Sequence, residues 1–137
     1  MKALLTIVIA EKKGQNDSQK KRDPSRNDII IRYAGFGAST PIPINCDLFD
    51  HGVFSKKDTI LINTTSNEHL VLEKLFKKFI VDSSIISIDT RIKIGYLTDT
   101  ICLDKFGNYY FENKDKYMRN DSLSDFIYRK INWHTSP

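Results

Sequence analysis

The chain has 137 residues, 40% of them hydrophobic and 11% aromatic. That is enough for the core of one domain and excludes a chain that is disordered throughout. The net charge of +4 is unevenly held. Residues 11–26 carry six basic and three acidic side chains, Lys2 adds one more charge, and residues 27–137 carry fourteen of each sign. A uniformly basic protein is therefore excluded, as is a scaffold of several disulfides, since there are only two cysteines.

The run Ala3-Leu4-Leu5-Thr6-Ile7-Val8-Ile9-Ala10 is short, β-branched and almost wholly apolar, as in a strand buried on both faces. It falls far short of the ~20 residues that cross a bilayer. With only Lys2 before it and no small-residue cleavage site, it reads as a strand and not a signal peptide. No membrane association is expected, and the expected compartment is the cytoplasm. The next stretch lacks large apolar residues and reads as a flexible basic insert at about 11–27. Strand character resumes over Ile29-Ile30-Ile31-Arg32-Tyr33. Ile42 and Ile44 alternate with Pro41 and Pro43, which suits an edge strand or an extended connection. Residues 46–57 form a loop anchored by Leu48, Phe49, Val53 and Phe54, before a strand at Thr59-Ile60-Leu61-Ile62-Asn63.

Thr65-x-x-Glu68 fits a capping box. Leu72, Leu75, Phe76, Phe79 and Ile80 recur at helical spacing, with Lys74, Lys77 and Lys78 on the outer face. The spacing predicts a helix from about residue 67 to 80. Strict alternation in Arg91-Ile92-Lys93-Ile94-Gly95-Tyr96 predicts a half-buried strand. Two further strands, Thr100-Ile101-Cys102-Leu103 and Tyr109-Tyr110-Phe111, flank a turn in which Gly107-Asn108 supplies the positive φ. Lys116-Tyr117-Met118 adds a possible short strand, and Ser122-x-x-Asp125 caps a last helix with Leu123, Phe126, Ile127 and Ile131 on one face. There is no repeat and no second domain. The order β-β-β-α-β-β-β-α predicts a single α+β domain over residues 1–137: a mostly antiparallel sheet with about two helices packed on it.

No constellation for catalysis emerges. Cys46, His51, His69, Cys102 and His134 lack zinc-like spacing, so no metal site and no cofactor are expected. Cys102 reads as a buried strand residue and Cys46 as a loop residue. The grouping of Cys46, Asp47, Asp50 and His51 reads as a polar loop, because catalytic groups converge in space and not in sequence. Gly35-Phe36-Gly37 lacks the third glycine of a dinucleotide loop, and Pro41 and Pro43 fall where its helix would start. The protein is expected not to be an enzyme. Two binding readings remain. A nucleic-acid-binding module would use Lys12, Lys13, Lys20, Lys21, Arg22 and Arg26 on phosphates, but no aromatic lies among them to stack on a base. A protein-binding module would use loop aromatics (Tyr33, Phe36, Phe49 and Phe54) as anchors.

The C-terminal third favours the second reading. Asp99-Thr100-Ile101-Cys102-Leu103-Asp104-Lys105-Phe106-Gly107-Asn108-Tyr109-Tyr110-Phe111, followed by Asp121-Ser122-Leu123-Ser124-Asp125-Phe126-Ile127, resembles the end of SUKH-type bacterial immunity proteins. There, an aspartate-led strand, a glycine turn and an aromatic strand lead to a final helix. Ile131-Asn132-Trp133-His134-Thr135 also resembles a Trp-His-Thr element of some contact-dependent growth-inhibition immunity proteins. The resemblance covers about the last 40 residues. It implies a small cytosolic protein that neutralises a cognate toxin C-terminal domain by blocking its active site or substrate surface. The residues expected to meet the toxin are Asp47, Phe49, Asp50, His51 and Phe54, with nucleic-acid binding by the basic insert as the alternative.

Overall fold

The computed structural model describes residues 27–35, 40–54 and 56–131. The expected first strand at 3–10, residues 11–26 of the basic insert, and Trp133 and His134 lie outside the described residues. The elements are β1 (Ile29–Ala34), β2 (Lys57–Ile62), α1 (Asn67–Leu75), β3 (Ile80–Val81), β4 (Ile92–Tyr96), β5 (Asp99–Leu103), β6 (Asn108–Phe111), β7 (Lys116–Arg119) and α2 (Asp121–Lys130). Short 3-10 turns occupy Leu48–Asp50 and Phe76–Lys78. The strands form one sheet in the order β2-β1-β4-β5-β6-β7-β3, with every pairing antiparallel. The fold is α+β, as expected, and α1 carries the chain from one edge of the sheet to the other.

Strand alternation divides the sheet into two faces. The paired registers put Ile62, Ile31, Ile94, Ile101 and Phe111 on one face, alongside Ile29, Ile92, Leu103, Tyr109 and Met118. Leu72 of α1 and Leu123 and Ile127 of α2 complete this main core. Burial of each large apolar side chain contributes roughly 1.5–3 kcal/mol, so the face is over-determined. Aromatic rings extend the packing. Phe79 sits edge-on to Tyr109 and Phe111, at 4.9 and 4.7 Å between centroids, and Phe76 stacks on Tyr96 at 4.5 Å.

Both helices differ in detail from the sequence expectation. Helix α1 stops at Leu75 and does not reach Ile80. Phe76 and Phe79 still enter the core, but Ile80 and Val81 pair instead with Arg119 and Met118 at the sheet edge. Helical spacing and core contact coincide here without a continuous helix. The N-cap of α1 is Ser66, whose hydroxyl accepts from the His69 amide at 3.1 Å, and not Thr65. The buried His69 ring fixes that register: its Nε2 lies 2.7 Å from the Asn27 carbonyl. Helix α2 begins one residue before Ser122 and is capped by Asn120, whose Oδ1 accepts from the Leu123 amide. Ile42 and Ile44 lie in a connection without strand pairing. The turn before β6 has Gly107 at φ +86°, as the Gly-Asn pair predicted.

Asn120 also joins the two helices. Its Nδ2 donates to the Leu75 carbonyl at 2.7 Å, satisfying an orphan acceptor at the end of α1, while the residue itself is buried. Asn120→Ala should therefore cost about 2 kcal/mol in urea unfolding, through one lost cap and one unpaired carbonyl. Ser122→Ala, at the cap position that the sequence pattern favoured, should cost under about 0.5 kcal/mol.

Candidate functional site

The second face of the sheet carries the polar chemistry. Reading across β2, β1, β4, β5, β6 and β7, the registers align Thr59, Arg32, Lys93, Cys102, Tyr110 and Tyr117 in one row. The neighbouring row holds Leu61, Ile30, Gly95 and Thr100. Glu112 follows Thr100 on the same side, its amide donating to the Thr100 carbonyl at 2.9 Å.

The 44–54 loop is strapped over the first row. Cys46 forms a disulfide with Cys102, with Cα atoms 5.7 Å apart and 56 residues of sequence between them. This corrects the expectation of two separate cysteines, and it removes both from any metal-ligand set. Lys93 lies beneath the strap and is buried. Its ammonium donates to the Cys46 carbonyl at 3.0 Å and to Asp50 Oδ2 at 2.6 Å. Arg32 pairs with the other oxygen of Asp50. Two hydrogen bonds of Ile44 tie the strap's start to the segment before β4: the Thr90 amide donates to the Ile44 carbonyl, and the Ile44 amide donates to the Asp89 carboxylate.

Two small apolar clusters flank the buried ammonium. Ala34, Ile44, Phe49 and Phe54 form one, and Cys46, Ile88 and Cys102 the other, with Ile85, Tyr110 and Tyr117 packed against the second. Lys57 stands 5.1 Å from the Phe49 ring and Arg91 5.0 Å from the Phe54 ring.

The five residues expected to meet a toxin thus have different fates. Phe49 and Phe54 are interior and hold the strap down. Asp50 is engaged by Arg32 and Lys93. Asp47 and His51 remain exposed, with His51 Nε2 3.6 Å from the Asp47 carboxylate. Among the loop aromatics, Tyr33 is half-buried and Phe36 lies outside the described residues. The basic residues of the nucleic-acid alternative, Lys12, Lys13, Lys20, Lys21, Arg22 and Arg26, also lie outside them.

Sequence reasoning missed Arg32, Lys93, Glu112 and Tyr117. The period-two strand did place Lys93 opposite Ile92 and Ile94, but it could not show that a distant loop covers that face. Tyr109-Tyr110-Phe111 is divided between the faces, with Tyr109 and Phe111 in the main core and Tyr110 on the second face.

Two depressions on the second face are formed by the described residues. One, of about 310 Å³, is lined by Asn45, Cys46, Asp47, Ser87, Ile88, Tyr110, Glu112 and Tyr117. The other, of about 260 Å³, contains Arg32, Asp50, Lys93, Thr100 and Glu112 beside Ile30 and Gly95. Glu112 borders both. In the second, the charged groups Arg32, Lys93 and Asp50 already pair with one another. Burial would raise the Asp50 pKa, but the hydrogen bonds and charges of Arg32 and Lys93 outweigh it and hold the carboxyl at about 2. Tyr110 donates to Asp115 at 2.6 Å, and this bond, with partial burial, pushes the phenol up to about 12.

Among the described residues, no group of three His, Cys, Asp or Glu is placed to hold a metal ion, and no helix is long and apolar enough to cross a membrane. No known protein family, curated protein or solved structure matches the chain.

Two outcomes follow from the strap. Asp50→Asn leaves a buried ammonium without a counter-charge and should cost about 3 kcal/mol at pH 7. The Asp50 carboxyl has a lowered folded pKa, so its stabilisation is complete well above 3.8 and is lost as pH falls from there towards about 2. Denaturant curves should therefore show a wild-type-to-variant gap that is constant above about pH 5 and closes towards pH 2. Removing the disulfide, by reductant or by Cys46→Ala with Cys102→Ala, should lower unfolding stability by up to roughly 4 kcal/mol, the loop-closure entropy for this spacing. The reduced wild type and the double variant should give superimposable curves.

Proposed function

We propose that the protein is a non-enzymatic, immunity-type inhibitor that acts in the cytoplasm by binding a bacterial toxin domain and covering its active site or substrate surface. The observation that carries this reading is the sorting of charge on the second face. Asp50 takes both Arg32 and Lys93, a group with one net positive charge, while Asp47 and Glu112 stay exposed beside it. A face built on six paired strands and a tethered loop presents those carboxylates at little ordering cost, which favours tight recognition of one partner. Exposed charge of one sign also speeds capture of an oppositely charged surface.

The C-terminal run supports the same reading. An aspartate-led strand (Asp99–Leu103), a glycine turn, an aromatic strand (Asn108–Phe111) and a final capped helix follow one another as the resemblance to immunity proteins implies. Cytoplasmic glutathione and thioredoxin keep most thiols reduced. In that compartment the strap would rely for long periods on Asp50, Lys93 and the Ile44 backbone bonds.

The proposal requires a toxin-type gene beside this one, and co-expression with its product is the test. Growth should be rescued, and the two proteins should co-purify. Failure of both rescue and co-purification would overturn it.

A further inference from the structure

The larger depression on the second face has an unusual lining. Tyr110 and Tyr117 form one wall, with ring centroids 4.9 Å apart and planes tilted by 44°. Asp47 and Glu112 stand at its rim, Asn45 and Ser87 add neutral polar groups, and among the described residues no lysine, arginine or histidine lines it. The Cys46–Cys102 disulfide and Ile88 lie behind the rings and hold them in place. The Glu112 carboxylate makes no hydrogen bond or ion pair with any described residue. Among the described residues, Asp47 faces His51, at 3.6 Å.

Aromatic faces with adjacent carboxylates favour a cation. The ring quadrupoles attract positive charge over their faces, and the carboxylates supply hydrogen-bond acceptors and a counter-charge. A volume of about 310 Å³ accommodates a guanidinium or ammonium with part of its alkyl stem. A phosphate or carboxylate ligand is disfavoured, because nothing in the lining could neutralise it. The other depression does not take the same role: its lining includes no aromatic ring, and Arg32 and Lys93 already stand in it, paired with Asp50.

We propose that the Tyr110–Tyr117 cleft, with Asp47 and Glu112 at its rim, receives an arginine or lysine side chain of a partner protein. The identity of that partner rests on the inhibitor reading above; the chemistry of the cleft does not. An arginine side chain gains most, since its planar group stacks on a ring while forking to a carboxylate.

The test is a ¹⁵N-NMR titration of the full chain with the peptide acetyl-Gly-Arg-Gly-amide, and in parallel with its neutral citrulline analogue. The arginine peptide should give saturable shifts centred on Asn45, Ser87, Tyr110, Glu112 and Tyr117, and the citrulline peptide should not. Glu112→Gln, an exposed substitution that should leave the spectrum's dispersion unchanged, should weaken binding at least fivefold, as should Tyr117→Leu. Shifts scattered equally over Asp99, Asp121 and Asp125, or equal binding of the citrulline peptide, would overturn the cleft assignment. Failure of the two readings remains distinguishable. If toxin co-expression fails while the arginine peptide saturates the cleft, the inhibitor reading falls and the cation site stands. If a toxin is neutralised undiminished by the Glu112→Gln chain, the cleft is not the partner's seat and the inhibitor reading stands.

Discussion

One buried charge organises the second face of this sheet. Lys93 lies in the central strand region, on the side away from the helices, where an uncompensated ammonium would cost several kcal/mol. Asp50 and the Cys46 carbonyl complete its coordination, and both come from a single loop more than 40 residues earlier in the chain. The loop must therefore lie where it does. Its path over the sheet then carries Cys46 to Cys102, presses Phe49 and Phe54 onto Ala34, and fixes the rim residue Asp47. The pairing alone is weak evidence of stability, since an apolar residue of similar volume at position 93 would serve as well or better. Its effect is on specificity of arrangement. Only one placement of the loop satisfies the ammonium, the disulfide and the Ile44 backbone bonds together.

The two faces divide the work. The helix-covered face supplies the hydrophobic stabilisation, with isoleucines from four strands and a run of aromatic rings. Asn120, shared between the ends of α1 and α2, and Tyr128, whose hydroxyl donates to the Asp104 carbonyl and accepts from the Gly107 amide, tie the helices to the sheet. The strapped face has two small apolar clusters and a set of charges, a poorer source of stability. Because the main core already holds the sheet, the second face is free to carry exposed carboxylates and half-exposed tyrosines.

Local patterning made the fold legible. Alternation in residues 91–96 and 100–103 marked half-buried strands, and Gly107-Asn108 marked the turn between β5 and β6. What patterning could not register was competition between elements. Leu75, Phe76 and Phe79 satisfy helical spacing, yet the chain leaves the helix after Leu75 because Ile80 and Val81 find strand partners in β7. Thr65 and Ser66, and likewise Ser122 and Asn120, are all competent caps. Long-range contacts of His69 and Asn120 decide between them. The site was less legible for the same reason. Phe49 and Phe54 have the composition of surface anchors and the environment of a core. Cys46 and Cys102 are separated by 56 residues, so no spacing rule joins them.

The charge arithmetic changes meaning once it is placed in space. Residues 27–137 sum to zero, and at physiological salt exposed charges act over only about 8 Å. A partner approaching this domain therefore meets local arrangements, not the total. At the strap, two cations share one acid, Asp50, which leaves that group with one positive charge. Nearby, Asp47 and Glu112 stand beside tyrosine rings in a cleft that no lysine or arginine lines among the described residues. Overall neutrality is thus compatible with an acidic docking point, provided that folding consumes basic groups where the sheet is covered and leaves acidic ones where it is open. The pairing of Lys93 and Arg32 with Asp50 does this: it holds the two cations at Asp50, outside the cleft that Asp47 and Glu112 line. The constraint that places the loop is also the one that sets Asp47 in the cleft beside Tyr110, Tyr117 and Glu112.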